Sequence, residues 1–248
     1  STAKDIFTME AAERFWGSGS TTRNVLSRLE SKGWLERLER GKYMLVPLEA
    51  GVDREWSEDP LAIGSFLVPS GGAAYWTAVR HWGWTTQLPR TQFFITARRR
   101  ASRGTYLGVP YRFITLKPDR VFGLTQEWVE GLAIRVTNRE RTLLDILDRP
   151  DLAGGIAEVS AALKVSWRDV DPELLMEYIE RFGSGTVPKR LGYLAEELDL
   201  DGVSDWTQRW RSMMGTGITL LERGGPKSGR ILTRWGLQIN AGKSKGVR

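Results

Sequence analysis

Residues 18–46, SGSTTRNVLSRLESKGWLERLERGKYMLV, join a polar helix to a short hairpin, and this combination decides the predicted fold. Ser20 or Thr21 is a good N-cap for the helix. The helix is predicted to reach about Lys32, with Gly33 as the residue that follows its end. The segments WLERLE and KYMLV are then typical of two short strands joined by an Arg-Gly turn.

One face of the predicted helix is polar and basic. Thr21, Asn24 and Arg28 fall at i, i+3 and i+7, so they share this face. A DNA-reading helix presents such side chains to base edges in the major groove, and its N-terminal amides can hold a phosphate. The basic hairpin tip can follow the DNA backbone. The predicted DNA-binding residues are Ser20, Thr21, Thr22, Arg23, Asn24, Ser27, Arg28, Arg40 and Lys42.

A second helix precedes the first one in the chain. The segment MEAAERFW follows a plausible N-cap, Thr8, and stops at Gly17. Helix, turn, helix and hairpin in this order predict a winged helix. Such a domain usually has one more helix at its start, which would lie upstream of Ser1 or leave a remnant in residues 3–7. An ordinary amphipathic helix with a solvated charged face, followed by a hairpin, is the alternative.

The composition is that of a globular protein. The chain has 248 residues, 41% of them hydrophobic, with eleven tryptophans and no cysteine. The lack of cysteine excludes disulfides, thiol chemistry and thiolate metal sites. No apolar run is long enough to cross a bilayer, and the first residues do not form a signal peptide. A cytoplasmic protein without a cofactor is therefore expected.

Positive charge is concentrated in two segments of a chain whose net charge is +6. Residues 89–120 hold eight basic groups against one acidic one, and residues 223–248 hold seven basic groups and no acid. Residues 121–222 hold eleven basic and eighteen acidic groups. An arginine-rich loop without a nearby acid favours non-specific phosphate binding, with a merely solubilising loop as the alternative. The predicted patch is Arg98, Arg99, Arg100 and Arg103.

The predicted fold class is α+β, with an N-terminal winged helix-turn-helix domain followed by a mixed α/β C-terminal domain. The first domain covers residues 1–50 and the second residues 51–248. Within the second, residues 90–136 are β-rich, residues 138–200 are helical and residues 215–248 form an irregular basic tail. TQFFITA, YRFITLK and LAIRVTN favour strands, TQEWV a further one, and GGAAYWTAVRHWG a helix. The acidic segment LEAGVDREWSEDP favours a surface linker.

Enzymatic motifs are weak. His81 is the only histidine, and among tryptophans it is more typical of a packed or capping residue than of a catalyst. Asp145 and Asp148 stand at i and i+3, so a nuclease could bind magnesium there. A solvated helix face beside Arg141 and Arg149 is the alternative. The chain has no GxSxG elbow, no Walker loop and no GxGxxG fingerprint.

Several segments together resemble the AbiEi family, the antitoxins of AbiE-type (type IV) toxin–antitoxin systems. They are TTRNVLSRLESKGWLERLERGKYMLVP, YWTAVRHWGWTTQLPRTQFFITARRR, RVTNRERTLLDILDRPDLAGGI and the final GGPKSGR and TRWGLQIN. The resemblance implies a repressor that binds inverted repeats in its own operon. It also implies a C-terminal domain that counters a nucleotidyltransferase-type toxin, whether or not by direct contact. The recognition helix would carry Thr21, Thr22, Arg23, Asn24 and Arg28, and the wing Arg40 and Lys42.

Two other classes of function stay open at this point. One is a metal-dependent nuclease that uses the acidic helix, and the other is a toxin-binding adaptor without specific DNA binding. No heptad seam or separate dimerisation helix is visible, so the chain is expected to be a monomer that pairs on DNA.

Overall fold

The computed structural model describes residues 6–17, 19–47, 59–129 and 131–241. Helices and sheets are mixed, which confirms the α+β class. The helices are α1 Met9–Trp16, α2 Ser20–Ser31, α3 Pro60–Leu67, α4 Tyr75–His81, α5 Arg139–Asp148, α6 Ile156–Ser166, α7 Pro172–Phe182, α8 Val187–Glu197 and α9 Val203–Ser212. The strands are β1 Ile6–Thr8, β2 Leu35–Glu39, β3 Lys42–Leu45, β4 Gly72–Ala73, β5 Gln92–Thr96, β6 Arg103–Tyr106, β7 Val109–Thr115, β8 Leu124–Val129, β9 Leu132–Thr137, β10 Thr219–Leu220, β11 Arg230–Leu232 and β12 Leu237–Ile239.

The N-terminal unit consists of α1, α2 and an antiparallel sheet in the order β1-β3-β2. The chain therefore runs strand, helix, helix, strand, strand, as in a winged helix from its second helix onward. Ile6 and Phe7 lie in β1, so the predicted helix remnant is wrong for these two residues, and residues 3–5 lie outside the described ones. Leu26 and Leu35 are buried in the small core beneath the helices.

The C-terminal part contains a six-stranded sheet in the order β6-β7-β5-β4-β9-β8. The β5–β7 and β4–β9 pairs are parallel and the others antiparallel. The strands predicted from TQFFITA, YRFITLK, LAIRVTN and TQEWV are confirmed as β5, β7, β9 and β8. The predicted basic loop proves instead to include β6. A two-residue turn, Leu107 and Gly108 with φ of 48° and 74°, joins β6 to β7.

Helix α5 is the central element of the C-terminal core. Residues 140–147 are all buried. Asn138, which the sequence predicts as the cap of RERTLLDIL, accepts a hydrogen bond from the Arg141 amide at 3.0 Å. Helices α6, α7 and α8 form as predicted, whereas α9 was not predicted. The segment predicted as one long helix around residues 71–83 divides into strand β4 and the shorter helix α4. The tail forms a small sheet in the order β10-β12-β11.

One hydrophobic core joins the N-terminal unit to the larger part of the chain. Leu38 and Met44 of the hairpin are 8% and 0% exposed, and they pack with Ile63, Phe94 and Phe113. Leu35 and Tyr43 pack instead with the helices of the N-terminal unit. The hairpin therefore lies between the two helices on one side and the larger, C-terminal part of the chain on the other.

The domain boundary predicted near residue 50 stays a prediction. The predicted linker falls mostly on residues 48–58, which lie outside the described ones. The sequence predicts a frayed end at residues 241–248, of which the structure describes only Ala241. Within the described ranges, every helix is too short or too polar to span a lipid bilayer.

Candidate nucleic-acid interface

A tight turn joins α1 to α2. Thr8 caps α1 as predicted, its hydroxyl accepting from the Ala11 amide at 3.3 Å, and α1 ends at Gly17, whose φ is 82°. Gly19, also at positive φ, is the N-cap of α2. The prediction of Ser20 or Thr21 as this cap is therefore wrong. Because Gly19 has no side chain, no capping hydrogen bond occupies the first-turn amides of α2.

The outer face of α2 carries the predicted recognition residues. Thr21, Asn24 and Arg28 are exposed. Among the described residues, the side chains of Asn24 and Arg28 form no hydrogen bond or ion pair within the fold. The Arg23 Nε donates to the Gly19 carbonyl at 3.3 Å. Other exposed members of the predicted set on α2 are Ser20, Arg23 and Ser27.

Thr22 does not belong to this face. Its side chain is 0% exposed, and its hydroxyl donates to the Gly17 carbonyl across the turn. Thr22 lies one helical turn before Leu26, which is also buried, so both point toward the small core. The prediction that Thr22 contacts DNA is wrong, because the hydroxyl is already used to hold α1 and α2 together.

The two predicted wing residues, Arg40 and Lys42, differ in exposure and in contacts. Arg40 is exposed, and in the described part of the chain its side chain has no polar partner. Lys42 is half-buried, and its Nζ donates to the Leu67 carbonyl at 2.9 Å and lies 3.5 Å from a Glu39 carboxylate oxygen. Burial is the main cause that lowers the pKa of Lys42. Lys42, which was predicted to contact DNA, is therefore bound within the fold instead.

The four arginines of the predicted phosphate patch also differ in exposure. Arg98, Arg99 and Arg103 are exposed, and none of them forms an ion pair with another described residue. Arg100 is only 14% exposed and pairs with Glu39. Its guanidinium also lies 3.6 Å from the centroid of a phenylalanine ring. Arg100 therefore serves contacts inside the fold, and its assignment to a solvent-facing phosphate patch is wrong.

Glu39 on the hairpin and Tyr106 on β6 are two polar residues in contact, and neither was among the predicted site residues. The Tyr106 hydroxyl donates to a Glu39 carboxylate oxygen at 2.6 Å, although 67 positions separate the two residues. Burial, together with this hydrogen bond, raises the pKa of Tyr106 to about 12. The alternation in RGTYLGVPYRF was the only local signal that the tyrosine lies on a strand.

The carboxylates considered for magnesium binding are used elsewhere. Asp145 is buried and accepts a hydrogen bond from the Arg141 Nε at 2.9 Å, and Asp148 accepts one from Ser184 at 2.6 Å. The alternative of a solvated helix face is thus wrong at Asp145. In the described ranges, no group of three His, Cys, Asp or Glu residues could hold a metal ion. His81 packs edge-on against Trp82, the packed role predicted for it, and burial is the main cause that lowers its pKa.

One family model matches the N-terminal unit. Residues 2–46 match the family model described as "Transcriptional regulator, AbiEi antitoxin". The resemblance is thus confirmed for this segment, which contains α1, α2 and the hairpin. No curated protein sequence matches the chain.

The fold of almost the whole chain is similar to a solved structure. The crystal structure of the RV2827C protein from Mycobacterium tuberculosis superposes with a TM-score of 0.67 and 19% sequence identity. The alignment covers 94% of this chain and 85% of that one. At this level of identity the similarity concerns the fold.

Proposed function

We propose that the chain is a DNA-binding transcriptional regulator that represses its own operon and acts as the antitoxin of a type IV toxin–antitoxin system. One observation carries the proposal. The exposed polar and basic face of α2 lies within the segment that matches the regulator family model. Asn24 and Arg28 have the side chains suited to base edges, since an asparagine amide pairs with adenine and a guanidinium with guanine.

The surroundings of α2 fit binding to a DNA backbone. The uncapped first turn of this helix presents amide groups that favour a phosphate. Arg40 at the hairpin tip and the exposed Arg98 and Arg99 supply positive charge for further phosphates. Lys42 and Arg100 are not part of this surface, because both are bound within the fold.

The partners of the regulator follow from the same proposal. The DNA target is an inverted repeat in the operon of the chain itself, bound in the cytoplasm by two monomers that pair on the duplex. The toxin to be countered is of the nucleotidyltransferase type. The chain acts without catalysis, and burial of Asp145 in an ion pair argues against the magnesium-dependent nuclease considered from the sequence.

A gel-shift experiment with the upstream region of the gene tests the regulator. The wild-type chain is expected to bind this duplex more tightly than a scrambled duplex of equal length, and its affinity should fall steeply with salt. Binding that is equal for both duplexes would contradict specific repression. Co-expression with a neighbouring nucleotidyltransferase gene tests the antitoxin. Rescue of growth with no DNA binding at all would favour the toxin-binding adaptor instead.

A further inference from the structure

Four side chains fasten the two ends of the hairpin turn to the C-terminal domain. We call Glu39, Lys42, Arg100 and Tyr106 the wing clamp. Arg100 Nη2 pairs with Glu39, and the Tyr106 hydroxyl donates to the same carboxylate. Lys42 Nζ and Arg100 Nη1 donate to one carbonyl, that of Leu67, at 2.9 Å and 2.8 Å.

The surroundings strengthen these contacts. Leu67 is the last residue of α3, so its carbonyl has no partner within the helix and lies at the negative end of the helix dipole. The two cations of the clamp satisfy that carbonyl. Arg100 and Glu39 are 14% and 28% exposed, so solvent and salt screen their attraction less than that of a surface pair. The raised pKa of Tyr106 keeps its hydroxyl protonated as a donor.

Arg40 lies between two members of the clamp in the sequence. Glu39 precedes it and Lys42 follows after Gly41, whose φ of 74° makes the tight turn. Both neighbours are held against the C-terminal domain, while the Arg40 side chain is exposed. A flexible arginine loses conformational freedom when it binds a phosphate, and a turn that is already fixed lowers this cost.

We infer that the wing clamp is a positioning device that holds Arg40 ready for the DNA backbone, an inference that rests on the proposed DNA-binding function. Glu39, Arg100 and Tyr106 touch no DNA in this arrangement. They raise DNA affinity by fixing the position of the hairpin tip, which carries Arg40. The C-terminal domain thereby contributes to operator binding without a contact of its own at this point.

The affinity and its salt dependence separate positioning from direct contact. Arg100→Gln and Glu39→Gln are each expected to weaken operator binding about fivefold. The double variant should bind about as weakly as the more strongly affected single variant, because both substitutions remove the pair between Arg100 and Glu39. The slope of log K against log salt should stay at the wild-type value, because Arg40 still reaches its phosphate and only the cost of ordering it rises. Arg98→Gln, the matched control, should lower the slope by about 0.9 if that exposed arginine binds a phosphate.

A double-mutant cycle with Arg40 shows whether the effect passes through the tip. Arg40→Gln alone should weaken binding and lower the slope, but in the Arg100→Gln background its effect on affinity should be about fivefold smaller than in the wild type. Tyr106→Phe, which removes one hydrogen bond and keeps the ring, should show the same pattern at a smaller size. Additive effects of Arg40 and Arg100 overturn the inference.

A distance measurement tests the clamp without DNA. The chain has no cysteine, so Arg37→Cys on the hairpin and Ala161→Cys on α6 give a unique pair of spin-label sites. In the full chain, Arg100→Gln should broaden the distance distribution between the labels, and Arg98→Gln should not. An unchanged distribution overturns the clamp, as does a salt slope that Arg100→Gln lowers as much as Arg98→Gln does. Failure of the wild type to bind any operator duplex would contradict the proposed function. The distance measurement uses no DNA, so it tests the clamp independently of that result.

Discussion

The buried pair of Arg141 and Asp145 gives the chain a pH dependence that can be worked out from its surroundings. Asp145 accepts from the Arg141 Nε through one oxygen, while the other oxygen is buried without a hydrogen-bond partner among the described residues. The guanidinium lies 4.4 Å from the ring centroid of Phe122 and 5.0 Å from that of Phe182. Burial raises the pKa of Asp145 to about 6, against the nearby charge of Arg141, which lowers it.

The sign follows from the proton count in the two states. In the unfolded chain an aspartate has a pKa of about 3.9, so between pH 4 and 6 the folded state holds more protons at this position than the unfolded state does. The free energy of unfolding therefore falls with rising pH across this window and is level above it. A difference of about two pKa units corresponds to about 2–3 kcal/mol.

Asp145→Asn removes the titration while keeping an oxygen that can accept from Arg141. Urea unfolding of both proteins from pH 4 to 8 gives the free energy of unfolding at each pH. The difference between wild type and variant should fall by about 2–3 kcal/mol from pH 4 to pH 7 and stay constant beyond. A difference that is flat across this range, or that rises, would show that burial of the carboxyl does not set its protonation.

Three further predictions concern the N-terminal unit and its proposed DNA target. Asn24→Ala and Arg28→Ala are each expected to weaken operator binding by about 1–3 kcal/mol in a gel shift, and an equal loss on a scrambled duplex would mean that they contact phosphate only. Thr22→Val should lower the free energy of unfolding by about 0.5–1.5 kcal/mol, measured by urea, because the hydrogen bond to the Gly17 carbonyl is lost, while the preference for operator over scrambled DNA is retained. Inserting about 5 bp between half-sites should abolish coupled binding of two copies, since it turns one half-site to the opposite face of the duplex; a stable dimer in light scattering without DNA would contradict the pairing of monomers on the operator.

Local signals predicted the elements that depend on local chemistry. Thr8 and Asn138 begin helices because a side-chain oxygen accepts a hydrogen bond from an amide of the first turn. Gly17 ends a helix because it can adopt a positive φ. The same reasoning misplaced the start of α2, where Gly19 at positive φ takes the cap position without a side chain. Helix α9 could have been found, since Val203, Trp206 and Trp210 recur at helical spacing on one face.

Two of the misassigned site residues, Lys42 and Arg100, depend on contacts between distant parts of the chain. Lys42 and Arg100 look like free surface cations in sequence, but their partners lie 25 and 61 positions away, at Leu67 and Glu39. No local pattern carries that information. Thr22 is different, because its spacing of four from Leu26 would have placed it on the buried stripe.

The core that Leu38 and Met44 share with the larger part of the chain limits how the N-terminal unit can be exchanged. A chimera that grafted residues 6–47 onto an unrelated partner would expose these two side chains, of which Met44 is fully covered here. An exchange between relatives would have to carry Ile63, Phe94 and Phe113 or close substitutes with it. Under the proposed function, new operator specificity is therefore reached more readily by changing Asn24 and Arg28 on the outer face of α2 than by transplanting the whole N-terminal unit.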